Sequence, residues 1–211
     1  MVIELYKTVK SNVRVELIEK KSRFIASIFR VTSVEQITQI LENIRKEFYD
    51  ATHNVYAWTV GLDYPMQKYS DDGEPQGTAG LPVMEVIKRN SLYNTLIVVT
   101  RYFGGILLGA GGLIRAYSAA AVLGIEKSGI AEYSKCTIIK LTTEYQFLEP
   151  VKSILKNFNT YIKNIEYSDV VEMTIKLPEE YVPKVKIALI DTTSNNILIE
   201  EKESIFDIIG G

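Results

Sequence analysis

The sequence predicts an α+β protein built from two α/β-sandwich domains. The chain has 211 residues, of which 46% are hydrophobic and 24% charged, a composition typical of globular proteins. Its first part alternates strand-like segments with amphipathic helical segments. Its second part has a different order of elements, and the balance of charge also differs between the two parts. We therefore expect one domain over residues 1–133 and a second over residues 134–211.

The first part opens with two segments that alternate like half-buried strands, residues 13–17 and residues 24–28. A charged turn at residues 19–22 joins them, so the pair predicts a β-hairpin. Ser33 and Gln36 then have the spacing of a helix capping box. The helix that they begin carries an apolar stripe along one face.

The rest of the first part predicts two more strands and two more helices. A strand is expected over residues 55–62 and a helix over about residues 81–90. Residues 95–103 are almost continuously apolar and β-branched, which is typical of a buried central strand. A last helix over about residues 113–127 ends at Gly129. The sequence between this strand and this helix is GGILLGAGG.

The second part predicts strands and helices in the order β-α-β-β-α-β. This is the order of a split βαβ, or ferredoxin-like, unit. Strands are expected at residues 137–143, 160–167, 170–177 and 197–203, and helical stripes at residues 147–158 and 182–189.

Composition excludes several classes of protein. The single cysteine, Cys136, cannot form an internal disulfide, and this favours a cytoplasmic location. No apolar run approaches the ~18 residues of a membrane helix, and no signal peptide is visible, so we expect no membrane partner. A net charge of −2 argues against a generically basic protein that coats nucleic acid. All seven arginines nevertheless precede residue 116, so an anionic ligand should meet the first domain.

Residues 51–58, 69–82 and 100–118 carry the polar and glycine residues expected of a ligand site. Backbone N–H groups of a glycine-rich loop and of a helix start bind anions, and Arg101 and Arg115 flank such a loop here. The spacing fits neither a Rossmann fingerprint nor a P-loop. Tight packing of a helix on the sheet, with the arginines in surface ion pairs, is the alternative. The loop glycines are Gly104, Gly105, Gly109, Gly111 and Gly112.

Three carboxylates, Asp71, Asp72 and Glu74, lie in one short loop and allow three interpretations. They could bind a hard cation, although the spacing is not that of an EF-hand. They could form a structural turn, which Asp-Gly and Glu-Pro favour. They could also pair with Arg101 or Arg115 and so fix the geometry of the site. We predict no metal site and no cofactor.

His53 is the only histidine of the chain, which excludes His-rich zinc sites. It could act as a general acid or base, with Asp72 as the other catalytic candidate, or contact a phosphate. A hydrogen-bonded structural role is the alternative. Lys21 and Arg23 flank the first turn, as a solvated hairpin tip or as part of a basic face. Tyr102 offers a surface for base stacking.

Six segments taken together resemble the YigZ/IMPACT family: KSRFIA (21–26), ATHN (51–54), SDDGEP (70–75), GTAG (77–80), RYFGG (101–105) and GLIRAY (112–117). The resemblance implies a first domain similar to the second domain of ribosomal protein S-five. It implies a second domain similar to the C-terminal domain of translocating elongation factors. Both relatives contact RNA or the ribosome.

Eukaryotic members of that family regulate translation by binding an activator of an initiation-factor kinase, with the help of an additional N-terminal domain. We do not expect that partnership here, because this chain has no room for that domain. Some members carry a proline-dipeptidase label, but such an enzyme needs several histidine and carboxylate ligands, and this chain has one histidine.

The resemblance therefore predicts a non-catalytic regulator of translation that binds RNA or the ribosome. The alternatives are an enzyme or binder of a phosphorylated small molecule, and a protein-interaction module. The predicted binding residues are Lys21, Arg23, His53, Asn54, Asp71, Asp72, Glu74, Thr78, Arg101, Tyr102, Gly104, Gly105, Gly109, Gly111, Gly112 and Arg115.

Overall fold

A computed structural model describes residues 5–158 and 160–208. The chain divides into two compact units, Met1–Glu132 and Tyr133–Gly211. Within the described ranges the fold is α+β, with two five-stranded sheets and five α-helices. The predicted fold class is therefore confirmed. None of the helices in these ranges is long and apolar enough to cross a membrane.

The sheet of the first unit is antiparallel throughout, in the order β2-β3-β6-β4-β5. β6 lies at its centre and is the continuously apolar strand of the sequence, buried along almost its whole length. In chain order the strands that precede the second unit are β1 (Leu5–Val9), β2 (Val13–Glu19), β3 (Ser22–Arg30), β4 (His53–Val60), β5 (Met66–Ser70) and β6 (Thr95–Tyr102).

Helices cover both faces of this sheet. The helix α1 (Val34–Glu47) packs Ile37 and Ile44 against one face, and Ser33 caps it by accepting a hydrogen bond from the Gln36 N–H. The helices α2 (Gly80–Arg89) and α3 (Gly109–Ser128) pack against the opposite face, where the larger core of the unit lies. The strands β3, β4 and β6 therefore contribute alternate residues to two separate cores.

The second unit has the predicted β-α-β-β-α-β order. Its strands pair antiparallel in the order β10-β7-β9-β8, as in a ferredoxin-like sheet. Apolar residues of both helices and of the sheet form one core. The elements are β7 (Ile130–Thr143), α4 (Leu148–Lys156), β8 (Tyr161–Tyr167), β9 (Val171–Pro178), α5 (Val182–Thr193) and β10 (Ile197–Ile208).

The structure differs from the sequence-based expectation mainly at four places in the first unit; beyond it, β7 begins at Ile130 and β10 ends at Ile208, seven residues before and five residues after the predicted bounds. β1 and β5 were not expected: β1 is short, and β5 is an edge strand whose residues are almost all exposed, so it has no apolar alternation. β4 begins at His53, two residues before the predicted start. α3 begins at Gly109, four residues before the predicted start, so its first turn contains three of the loop glycines. Glycine has low helix propensity, which is why the sequence indicates a later start.

Core packing predicts a large difference between two aliphatic residues of the second unit. Leu155 on α4 is 1% exposed, whereas Ile187 on α5 is 63% exposed. We expect Leu155→Ala to lower the free energy of unfolding by about 2–5 kcal/mol, because it removes buried methyl groups and leaves a cavity. Ile187→Ala should change it by less than about 0.5 kcal/mol. Urea unfolding of both variants checks this, and similar losses in the two would contradict the assignment of the core.

Candidate ligand-binding site

The pleat of the sheet brings His53 and Arg101 together. They are direct neighbours across β4 and β6, and both lie on the face that α2 and α3 cover. Tyr102, next along β6, lies on the opposite face because successive residues of a strand alternate. Arg23 pairs with Tyr102 across β3 and β6 and shares that opposite face. The predicted site residues are thus divided between the two sides of the sheet.

Asp71 caps the start of α2. Its Oδ2 accepts a hydrogen bond from the Gly77 N–H at 2.9 Å, and its Oδ1 accepts from the N–H groups of Ala79 at 3.1 Å and Gly80 at 2.8 Å. A carboxylate at a helix N-terminus also interacts favourably with the helix dipole. Thr78 stabilises the same loop by donating its hydroxyl hydrogen to the Pro75 carbonyl at 2.6 Å. Asp71 and Thr78 therefore shape the loop that carries Glu74.

Asp72 positions His53. The Asp72 Oδ2 accepts a hydrogen bond from the Asn54 N–H at 2.6 Å, and the Asp72 carbonyl oxygen lies 2.7 Å from the His53 Nδ1. A carbonyl oxygen can only accept a hydrogen bond, so the His53 Nδ1 carries the proton. The other ring nitrogen, Nε2, lies 3.9 Å from the Glu74 Oε1. Asp72 and Gly73 both have positive φ, and this left-handed turn directs the carbonyl to the ring.

Glu74 is the centre of a buried polar cluster. Its Oε1 accepts a hydrogen bond from the Arg101 Nη1 at 2.6 Å and another from the Tyr117 hydroxyl at 2.8 Å. Of the three interpretations of the acidic loop, the ion pair with Arg101 is the one that the structure contains for Glu74, while Asp71 has the turn role. In the described ranges, no group of three His, Cys, Asp or Glu side chains could hold a metal ion.

The surroundings of Arg101 and Tyr117 fix the position of the guanidinium group and keep the tyrosine hydroxyl protonated. The guanidinium carbon of Arg101 lies 5.4 Å from the ring centre of Phe24 and 5.6 Å from that of Phe103. Its Nε is buried and has no hydrogen-bond acceptor among the described residues. Burial, followed by the nearby Glu74 carboxylate, raises the pKa of Tyr117 far above its ordinary value. Tyr117 is therefore a permanent hydrogen-bond donor to Glu74.

A cavity of about 430 Å³ opens onto this cluster. His53, Glu74 and Arg101 form its polar floor, and the segment after β6 and the first turn of α3 form its walls. Leu107, 84% exposed, lies at its rim. The remaining lining residues are Thr52, Gly73, Pro75, Phe103, Leu108, Gly109, Ala110 and Leu113. The site therefore combines an apolar wall with a small, charge-balanced polar floor.

Gly104 fixes the β2–β3 turn against the loop that follows β6. A Cβ at Gly104 would lie only 2.0 Å from the Lys21 carbonyl carbon, and the Gly104 N–H donates to the Ser22 Oγ at 3.1 Å. Lys20 and Lys21 both have positive φ, as a two-residue type I′ hairpin turn requires. Gly105 also has positive φ and turns the chain toward α3.

The other predicted cations lie outside the cavity. Arg23 is exposed and pairs with Glu16 at 2.8 Å, its guanidinium carbon 5.4 Å from the centre of the Tyr102 ring. Tyr102 itself donates its hydroxyl hydrogen to Asp50 at 2.8 Å. Arg115 is exposed on α3, and a Cβ at Gly111 would lie 3.5 Å from its Nη1. Arg23, Tyr102 and Arg115 therefore do not line the cavity that His53 and Arg101 share.

Sequence reasoning missed Tyr117 and the apolar wall of the cavity. Tyr117 is fully buried within an alanine-rich stretch of α3. A tyrosine among alanines indicates a buried hydroxyl that needs a hydrogen-bond partner, and this was the signal available in the sequence. Leu107, Leu108 and Leu113 gave no such signal, because their sequence pattern does not differ from that of ordinary core residues.

Comparison with known proteins places the chain in a family. The Impact N-terminal domain matches residues 20–125, and a domain of unknown function, DUF1949, matches residues 141–196. The chain is 40% identical to the IMPACT family member YvyE of Bacillus subtilis over 175 residues, which is 83% of this chain and 81% of that protein. The chain belongs to the IMPACT family. The resemblance seen in the sequence motifs is therefore confirmed.

Other IMPACT relatives extend the match. The family member YigZ of Escherichia coli is 33% identical, over 84% of this chain and 88% of that protein. Protein IMPACT of Oryctolagus cuniculus is 30% identical over 54% of this chain and 37% of that protein. A crystal structure of a hypothetical protein has 31% identity and a TM-score of 0.62, over 96% of this chain and 99% of that one. The likeness to the bacterial members thus spans both units.

The buried cluster predicts unequal effects for two tyrosine hydroxyls. Tyr117→Phe should lower the free energy of unfolding by about 1.5–3 kcal/mol, because the buried Glu74 carboxylate loses a hydrogen bond. Tyr102→Phe is the matched control, since its hydroxyl bonds Asp50 at the exposed surface, and it should lose less than about 1 kcal/mol. Chemical unfolding of both variants measures the difference. A loss in Tyr117→Phe no larger than that of the control would argue against the cluster.

The glycine segment predicts opposite effects for two Gly→Ala changes. Gly104→Ala should destabilise the first unit by about 1–3 kcal/mol, because the new Cβ overlaps the Lys21 backbone. Gly111→Ala should stabilise it by about 0.5–1 kcal/mol, because Gly111 lies in α3 and its Cβ would make only ordinary contact. Thermal unfolding distinguishes the two. Tolerance of Gly104→Ala would disprove the close contact with the turn.

Proposed function

We propose that this protein is a non-catalytic regulator of translation that binds RNA or ribosomal particles through its first unit. Membership of the IMPACT family supports a role related to translation. The motif resemblance, which implies a first domain similar to one of ribosomal protein S-five, points the same way. Such a role requires a cytoplasmic location. It also requires cations that can reach phosphates from the surface of the molecule.

The observation that carries the proposal is a set of exposed basic side chains beside the glycine segment, residues 104–112. Lys20 and Lys21 are exposed at the turn that packs on Gly104, and Arg115 is exposed one turn beyond Gly111. None of the three side chains forms a hydrogen bond or ion pair with another described residue. Unpaired exposed cations on a fixed backbone are suited to phosphate contacts, since they lose no internal partner on binding.

Two other predicted cations contribute differently. Arg101 is buried and paired with Glu74, so it stabilises the site and does not reach the phosphates of an RNA backbone. Arg23 pairs with Glu16, which neutralises its charge at the surface. We therefore assign the phosphate contacts to Lys20, Lys21 and Arg115. His53 and Asp72 bond to each other and shape the loop that carries Glu74.

Replacing the three exposed basic side chains should weaken RNA binding and make it less dependent on salt concentration. Each lost phosphate contact reduces the slope of log K against log salt by about 0.7–0.9. We expect Lys20→Ala/Lys21→Ala/Arg115→Ala to lose roughly two units of slope and to stop co-migrating with ribosomal particles on a sedimentation gradient. Filter binding to single-stranded RNA at several salt concentrations measures the slope.

The control variant is Arg45→Ala/Lys46→Ala/Lys68→Ala, which removes the same number of exposed positive charges from α1 and β5. It should bind as the wild type does. Equal loss in the two variants would reduce the effect to net charge, and wild-type binding that is weak and insensitive to salt would overturn the proposal. Co-purification of a protein that persists after nuclease treatment would point instead to a protein partner.

A further inference from the structure

The cavity beside the Glu74 cluster has binding groups that the proposed RNA contacts do not use. We infer that it binds a small monocarboxylate with an apolar body. In this arrangement the carboxylate lies at the first turn of α3 beside His53, and the body packs against Phe103, Leu107 and Leu113. The inference is independent of the proposed role in RNA binding, because it concerns other side chains.

The first turn of α3 supplies hydrogen-bond donors to the cavity. Gly109 and Ala110 line the wall, and the N-cap residue Leu108 has no side chain that can accept from the helix. The first four N–H groups of any α-helix lack acceptors within the helix, and the helix dipole adds partial positive charge there. α3 has 20 residues, so this end carries the full effect of a long helix.

Arg101 gives an independent indication of a ligand in the same cavity. Its side chain is only 7% exposed, it lines the floor, and its Nε has no acceptor among the described residues. A buried N–H without an acceptor is unfavourable, so such groups are rare unless a bound molecule or water satisfies them. The unused donor and the uncapped helix both favour a ligand that carries acceptor oxygens.

The charge of the floor is balanced and does not repel an anion. Glu74 is the only acidic side chain among the described residues that line the cavity, and the hydrogen bonds from Arg101 and Tyr117 compensate it. The Asp72 carbonyl accepts a hydrogen bond from the His53 Nδ1–H, which holds the ring in place among the residues that line the cavity.

The apolar wall favours a carboxylate over a phosphate as the ligand. A phosphate monoester carries about −1.5 to −2 charges at neutral pH and would have to lose its hydration against leucine and phenylalanine side chains. A carboxylate carries one charge on two oxygens, and an attached apolar body gains free energy by covering Leu107 and Phe103, which are 84% and 47% exposed. The cavity volume of about 430 Å³ lies in the range of small-ligand sites.

Three probes test this inference on the intact protein: 3-phenylpropanoate, the uncharged 3-phenylpropanamide of the same shape, and inorganic phosphate. We expect the carboxylate to bind at least tenfold more tightly than the amide, as followed by NMR titration. The Arg101 Nε–H resonance and the backbone resonances of Ala110 and Gly111 should shift. Phosphate should shift none of them.

The variant Leu107→Asp places a negative charge at the exposed rim and should weaken the binding of 3-phenylpropanoate at least tenfold. Leu198→Asp is the matched control, because Leu198 is 58% exposed on β10 in the second unit, and it should bind as the wild type does. Both changes are at exposed positions, and a thermal melt verifies that each variant is folded.

Absence of any shift with the carboxylate, equal affinity for the amide, or tighter binding of phosphate would each overturn the inference. Unchanged binding in Leu107→Asp would do the same. The Lys20→Ala/Lys21→Ala/Arg115→Ala variant should keep its affinity for 3-phenylpropanoate. A loss of RNA binding in that variant with carboxylate binding intact separates the two proposals, and failure of either one leaves the other standing.

Discussion

Glu74 and Arg101 form a buried ion pair on which the geometry of the first unit's site depends. The carboxylate comes from the loop after β5 and the guanidinium from the central strand β6, and both side chains are less than 10% exposed. Charges this far from water are tolerated only when they are paired and hydrogen-bonded. Tyr117 of α3 completes the arrangement, so a loop, a strand and a helix meet at one carboxylate oxygen. The floor of the cavity and the surroundings of His53 follow from this junction.

The order of elements could be predicted from the sequence because it depends on local periodicity. The central strand β6 has a continuously apolar pattern, and the two helices of the second unit have apolar stripes that are independent of their partners. β5 could not be predicted in the same way, because an exposed edge strand has no core-facing residues to produce a period. The start of α3 depends on glycines that disfavour a helix locally, so only the folded context shows that the helix includes them.

The members of the site could be predicted better than their roles. His53, Glu74 and Arg101 follow from residue type and clustering, but the carboxylates of one loop turn out to have three different tasks. Asp71 caps α2 through N–H groups six to nine residues further on, a contact that spacing alone does not reveal. The division of Arg101 and Tyr102 between opposite faces follows from strand alternation, so that part of the geometry was already available in the sequence.

Arginine has two roles in this unit that cannot be exchanged. Arg101 is held between two phenylalanine rings and bound to Glu74, so its charge acts over a short range within a dry site. Arg115 is exposed to water, so its charge is screened by salt and its side chain is not held by an internal partner. The glycine segment of residues 104–112 borders both environments, since Gly104 packs on the Lys21 turn and Gly109 lines the cavity. The proposed recognition of a polyanion and the proposed small-anion site therefore rest on different residues, even though one loop adjoins both.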